Sequence, residues 1–141
     1  MIDYTRKAKI KDSNEWVIGY HVYVDYLDKH YILVSEKTHD GFSGMLAMKQ
    51  YEVDEDTICN PTGLTDKNGN KIWENDIIGY WDTYSTENGQ AEADCIGKVF
   101  WDDETLSFQV TERLSAESYE VMDECSVIGN IFDNADLLKV E

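Results

Sequence analysis

Several residue types are scarce in this sequence, and each shortage excludes something. Its 141 residues hold one proline (Pro61), three cysteines (Cys59, Cys95 and Cys125), three histidines (His21, His30 and His39) and 12 bases against 29 acids. An odd cysteine count with no C-x-x-C pair fits free thiols in a reducing cytoplasm rather than a disulfide framework. No apolar run approaches the ~18 residues of a membrane span. The first residues do not read as a secretory leader, so a cytoplasmic protein is expected. The shortage of bases leaves a net charge of -17 and a pI near 4.3. Such a chain repels phosphate backbones and anionic lipid at long range, which argues against direct nucleic-acid or membrane binding.

What is present is a core. Hydrophobic residues are 42% and aromatics 12%, which excludes a disordered tail despite a mean hydropathy of -0.51. A chain of this size buries roughly 68–70% of its unfolded surface and needs no metal or disulfide to hold it. Charge is uneven along it: residues 1–81 carry 14 acids and 9 bases, and residues 82–141 carry 15 acids and 3 bases, Lys98, Arg113 and Lys139. Arg6, Lys7, Lys9 and Lys11 form a small basic cluster near the start. Asp54, Glu55 and Asp56 followed by the turn Asn60-Pro61-Thr62-Gly63 mark a joint. The reading is an N-terminal β segment over 1–60 and a second unit over 61–141.

Strand signals dominate both halves. Trp16–Val24 (W-V-I-G-Y-H-V-Y-V) is β-branched and aromatic throughout, and residues 30–34 read as its hairpin partner. Residues 45–53 form a third candidate; Lys71–Trp73, 76–81, 96–101, 106–110 and 126–132 follow. The Asn68-Gly69 dipeptide within 66–70 marks a hairpin turn, and Asp102-Asp103-Glu104-Thr105 an acidic one. Helix is confined to one or two turns at 134–139 and a short stretch at 115–122. Ile-Gly recurs as Ile18-Gly19, Ile78-Gly79, Ile96-Gly97 and Ile128-Gly129. Glycine inside a strand marks a bend, a bulge or a close backbone approach. Five short, bent strands predict a small antiparallel SH3-like barrel over 63–132, in a mainly β protein with one short C-terminal helix.

The stretch C-N-P-T-G-L-T-D-K-N-G-N-K-I-W-E-N-D-I-I (59–78) resembles the "TGLKDKNGKEIYEGDIV" pattern of the YopX family of phage and prophage proteins. Gly97-Lys98-Val99 with Trp101, then Val127 through Phe132 with Leu137-Leu138, are similar to later family blocks in the same order. The N-terminal half matches more loosely, through Trp16, Gly19 and Tyr20. The resemblance implies a small, mostly β protein of a bacterial host's cytoplasm with an unassigned biochemical role. It brings no catalytic motif and no cofactor. Asn75 departs from the family's glycine, and asparagine tolerates the left-handed turn required there. Residues 83–94 look like an acidic insert peculiar to this chain.

Chemical motifs are few. The histidines all lie in the first half and Cys95 and Cys125 in the second, with no G-x-S-x-G signature for a nucleophile. Asp66 through Asn70 fails as a calcium loop, because Lys71 stands where the turn glycine belongs and Ile77 where the bidentate glutamate belongs. Gly41-Phe42-Ser43-Gly44 lacks the lysine and helix of a phosphate loop. The acid runs 54–56 and 102–104 read as solvated turns rather than metal ligands. Asp76 follows the turn at Glu74-Asn75 and is expected to cap backbone N–H groups there.

The favoured function is therefore a non-catalytic interaction or oligomerising β module, with a protein partner or a second copy of itself. The alternatives are an acidic decoy that imitates DNA phosphates and a carboxylate- or metal-dependent hydrolase. Alternation places Val99 and Trp101 on one side of their strand and Phe100 on the other, so a large aromatic must sit on a second core or face a partner. With the neighbouring Trp-Asp pairs, the candidate partner-binding residues are Trp81, Asp82, Phe100, Trp101 and Asp102. Trp16–Val24 and 30–34 also read as poor free edges, which favours a homo-oligomer.

Overall fold

The computed structural model describes residues 2–35 and 48–138. His39, the Gly41-to-Gly44 stretch, residues 45–47 of the third expected strand, and Lys139 lie outside the described residues. The chain divides into two units, Met1–Asn60 and Pro61–Glu141.

In the first unit, four antiparallel strands run in the order β1 (Arg6–Lys9), β2 (Trp16–Val24), β3 (Lys29–Ser35) and β4 (Met48–Val53). The pairing Tyr23↔His30 and His21↔Ile32 sorts the side chains. One face buries Ala8, Ile32 and Val53, with Val17, Val34, Tyr51 and Ile58 packed against them. β1 was hidden in the basic cluster, because its one apolar residue, Ala8, is the residue that goes inside. The two strands expected to be exposed edges are inner strands, each bonded on both sides. The edge strand β1 is lysine-rich, the usual guard against stray pairing. Residues 54–59 also return along it, through Lys7 N–H to Cys59 O (3.2 Å), Cys59 N–H to Lys7 O (2.7 Å) and Lys9 N–H to Thr57 Oγ1 (2.9 Å).

The second unit contains a hairpin of β5 (Pro61–Thr65) and β6 (Lys71–Trp73). Beside it stands a four-stranded antiparallel sheet of β7 (Asp76–Thr86), β8 (Gly89–Asp102), β9 (Ser107–Val110) and β10 (Ser126–Asn130), in the order β10-β7-β8-β9. The helix α1 (Ser118–Asp123) packs on β9, β5 and β7, and a 3₁₀ turn follows at Ala135–Leu138. Ile72, Ile78, Tyr80, Val99, Val110, Val121, Met122 and Cys125 form the core.

This sheet is open, and the expected SH3-like barrel does not form. Closure requires the outermost strands to find ladder partners. At both outer edges side chains take up the backbone donors instead: Ser118 Oγ accepts from Val110 N–H (3.0 Å), and Asp66 Oδ2 accepts from Val127 N–H (2.9 Å). The stretch read as a turn around Pro61 is a strand, with Gly63 at φ 84 accommodating its kink.

Residues 83–94, which look like an acidic insert in sequence, extend β7 and β8 into one long hairpin, with pairs from Ile77↔Lys98 out to Thr86↔Gly89. Asn75 sits at φ 72, as its turn demands. Asp76 is buried and its Oδ2 accepts from Trp73 N–H at 2.8 Å. Two of the Ile-Gly strands show close backbone approach: a Cβ on Gly97 would meet the carbonyl of Thr111, and one on Gly19 the carbonyl of Leu33, whereas Gly79 has ordinary room.

Candidate partner-binding surface

The five candidate residues separate on the sheet of the second unit. Trp81 pairs with Asp94, and Trp101 with Phe108. By alternation Trp81 shares a face with Ile96 and Phe100, while Trp101 shares the opposite face with Val99. Phe100 is half-buried and six residues along β8 from Asp94, ~20 Å at the usual strand rise. Trp101 lies edge-on to Phe108 (5.0 Å between centroids), and its Nε1–H donates to Asp103 Oδ1 at 2.8 Å. Asp102 accepts from Glu104 N–H at 2.9 Å and shapes the acidic turn.

Asp82 has a structural role. It is 3% exposed and accepts from the backbone N–H groups of Thr83 (2.7 Å), Leu114 (2.7 Å), Ser115 (3.2 Å) and Ala116 (2.9 Å). Burial pushes its carboxyl up, and those N–H groups more than reverse the push, leaving it at about 2. The carboxylate is thus the anchor that ties the 114–116 segment to β7.

Trp81 is different. It is 61% exposed on the outer side of β7, and two hollows meet at it. One, of about 300 Å³, is lined by Trp81, Asp94, Ile96, Glu124, Ile128 and Lys67 among others. The second, of about 160 Å³, brings Glu120 and Val121 of α1 beside the same indole and Glu124. A further depression holds Tyr119, Glu120, Asp123 and Glu124. In the two hollows that meet at the exposed indole, three carboxylates, Asp94, Glu120 and Glu124, therefore stand against one base, Lys67. Glu120 is partly committed, since its Oε2 accepts from Glu117 N–H (3.0 Å) in the capping box of α1.

The wall residues Ile96 and Ile128 carry a signal in the sequence, their place in Ile-Gly pairs. Where the glycine of an Ile-Gly pair faces a crowded neighbour, alternation turns the isoleucine outward. Ile18, Ile96 and Ile128 are all exposed, beside Gly19, Gly97 and Gly129, where an added Cβ would collide. The i,i+4 spacing of Glu120 and Glu124 was likewise visible along the short helix.

Reactive chemistry finds little support elsewhere. Burial pushes the Cys125 thiol up to about 11, with Asp66 adding to it. Burial, then Asp82 and Asp94, also raise Cys95. Neither is a ready thiolate. In the first unit, His21 Nε2 and His30 Nδ1 lie 2.7 Å apart and His30 Nε2 lies 3.6 Å from Glu55. Burial, then His30 and Arg6, lower the His21 pKa, so one neutral ring bonds the other. Asp66 is occupied as a backbone anchor, accepting from Asn68 and Asn70 N–H as well as Val127. Among the described residues no group of three or more His, Cys, Asp or Glu is placed to hold a metal ion, and no helix is long and apolar enough to cross a membrane.

Comparison with known proteins agrees with the motifs. The family model described as YopX protein matches residues 7–139, so the match extends through the first unit as well as the second. No curated protein and no solved structure matches the chain. The chain belongs to the YopX family.

Proposed function

We propose that this YopX-family chain is a non-catalytic protein-interaction module, a phage- or prophage-derived accessory protein whose contact surface is centred on Trp81. The observation that carries the reading is the exposed indole set between two hollows, with Ile96 and Ile128 also exposed beside it. An aromatic anchor in a concave, partly apolar surface is the usual centre of a binding patch. A photo-crosslinking side chain at position 96, introduced into the full chain in bacterial cytosol, tests this. It should give a discrete protein adduct that Trp81→Ala removes, while the same group at the exposed Leu106 gives none. Identical adducts from both positions, or adducts indifferent to Trp81→Ala, would reject the surface.

Self-association is a second reading, with its own observation. On the face of the first sheet opposite its core, Ile18, Tyr20 and Val22 of β2 form an exposed apolar row. Such a row, rather than a free strand edge, is what a second copy would cover.

A further inference from the structure

The surface around Trp81 has a chemical preference of its own. Asp94 stands directly across the ladder from Trp81. Glu124 lines both hollows that meet at the indole. Asp123 and Glu124 close the C-terminal end of α1, whose last turn carries no basic residue. Two acids at a helix C-terminus add to the negative end of its dipole, which favours a cation there. An exposed indole face is itself a cation receptor, and neighbouring carboxylates add charge-assisted hydrogen bonds. The one base among the lining residues, Lys67, leaves the balance of charge negative.

Resting on the interaction reading above, we infer that the Trp81 surface binds an arginine side chain on a basic segment of the partner protein, with the guanidinium on the indole and its N–H groups turned to Asp94 and Glu124. Arginine is preferred over lysine because its plane stacks on the ring while its fork presents paired donors to a carboxylate. The chain's charge of -17 draws any polycation toward it, so long-range attraction alone does not identify the site. The surface must show chemical selectivity and dependence on an uncharged residue.

The test uses the full chain and three blocked glycine-serine peptides of one length, bearing two arginines, two lysines or two citrullines. Binding is followed by the fluorescence anisotropy of a dye on each peptide, a readout that does not depend on Trp81, and the Trp81 indole N–H resonance of the wild type, assigned through its absence in Trp81→Phe, locates the site. Saturable binding is expected, with arginine tighter than lysine and citrulline weakest. Trp81→Ala, which changes no charge and alters an exposed residue, should weaken arginine-peptide binding at least about threefold, the scale of one exposed cation–π contact. Glu124→Gln should weaken it further, whereas Glu104→Gln, on the acidic turn, should leave it within twofold. Equal affinity for the lysine peptide, or arginine binding that survives Trp81→Ala, overturns the inference and leaves only diffuse attraction. Loss of the arginine preference with the position-96 adduct retained would reject the ligand class and leave the interaction surface standing.

Discussion

At the scale of single residues, the second unit's carboxylates divide between anchors and surface charge, and burial sorts them. Asp66, Asp76 and Asp82 are buried and accept backbone N–H groups; Asp94, Asp123 and Glu124 are exposed. The sequence supported the anchor role for Asp76, because an acid just after a turn is a common cap. It paired Asp82 with Trp81 as a contact, because adjacency in sequence says nothing about which of two neighbours alternation turns inward. Asp82→Ala should cost about 1–3 kcal/mol in urea denaturation at neutral pH, since it strands buried backbone donors. The acid limb has a definite sign. The folded carboxyl, at about 2, lies below its ordinary 3.8. Its contribution is therefore full above the ordinary value and disappears as pH falls through about 2. Wild type and Asp82→Ala should converge in stability over that interval. A gap unchanged down to pH 2 would mean that the carboxylate's charge is not what holds the 114–116 segment.

At the scale of elements, strands with β-branched and aromatic alternation were legible, and those whose pattern is polar or brief were not. β2, β3 and β6 follow from their residues. β1 hides one buried alanine among cations, and the outer half of the β7–β8 hairpin hides in an acidic run. That hairpin still carried two signals: Asn88-Gly89 at its turn, and Ala91, Ala93 and Cys95 alternating with Gln90, Glu92 and Asp94. The barrel failed for a reason no local pattern contains. Whether a sheet closes depends on what its two edges meet, and here Ser118 and Asp66 meet them. In sequence the recurrent strand glycines read as bends of a barrel; at Gly97 the reason for glycine is instead close approach, which can be tested. A methyl group at Gly97 would press on the Thr111 carbonyl and on Val110 Cγ1 (2.9 Å). Gly97→Ala should destabilise the fold by about 1–3 kcal/mol, as overpacking does. Gly79→Ala, whose Cβ would meet nothing closer than 3.8 Å, should be far milder. Equal effects of the two on the thermal midpoint would show that backbone preference, not β8–β9 proximity, governs both.

At the scale of the whole molecule, ionic strength separates the two proposed modes of association. Copies of a chain carrying -17 repel one another, and the repulsion acts against any contact between them. Raising salt from 0.1 M to 1 M shortens the screening length from ~10 Å to ~3 Å and removes most of that penalty. Burial of Ile18, Tyr20 and Val22 is apolar and does not weaken with screening, so self-association through the first sheet should tighten as salt rises. Capture of an arginine by Trp81 and its carboxylates has the opposite dependence, because charge attraction both draws the peptide in and holds it. Sedimentation equilibrium of the full chain at the two salt concentrations reads the first effect, and the peptide titration repeated at both reads the second. Ile18→Glu, on an exposed position, should abolish the salt-induced association and leave the peptide affinity unchanged. A single 16.3 kDa species at both concentrations would remove self-association from consideration. Peptide affinity that holds steady in 1 M salt would in turn show that apolar contact with Trp81, rather than charge, provides the binding.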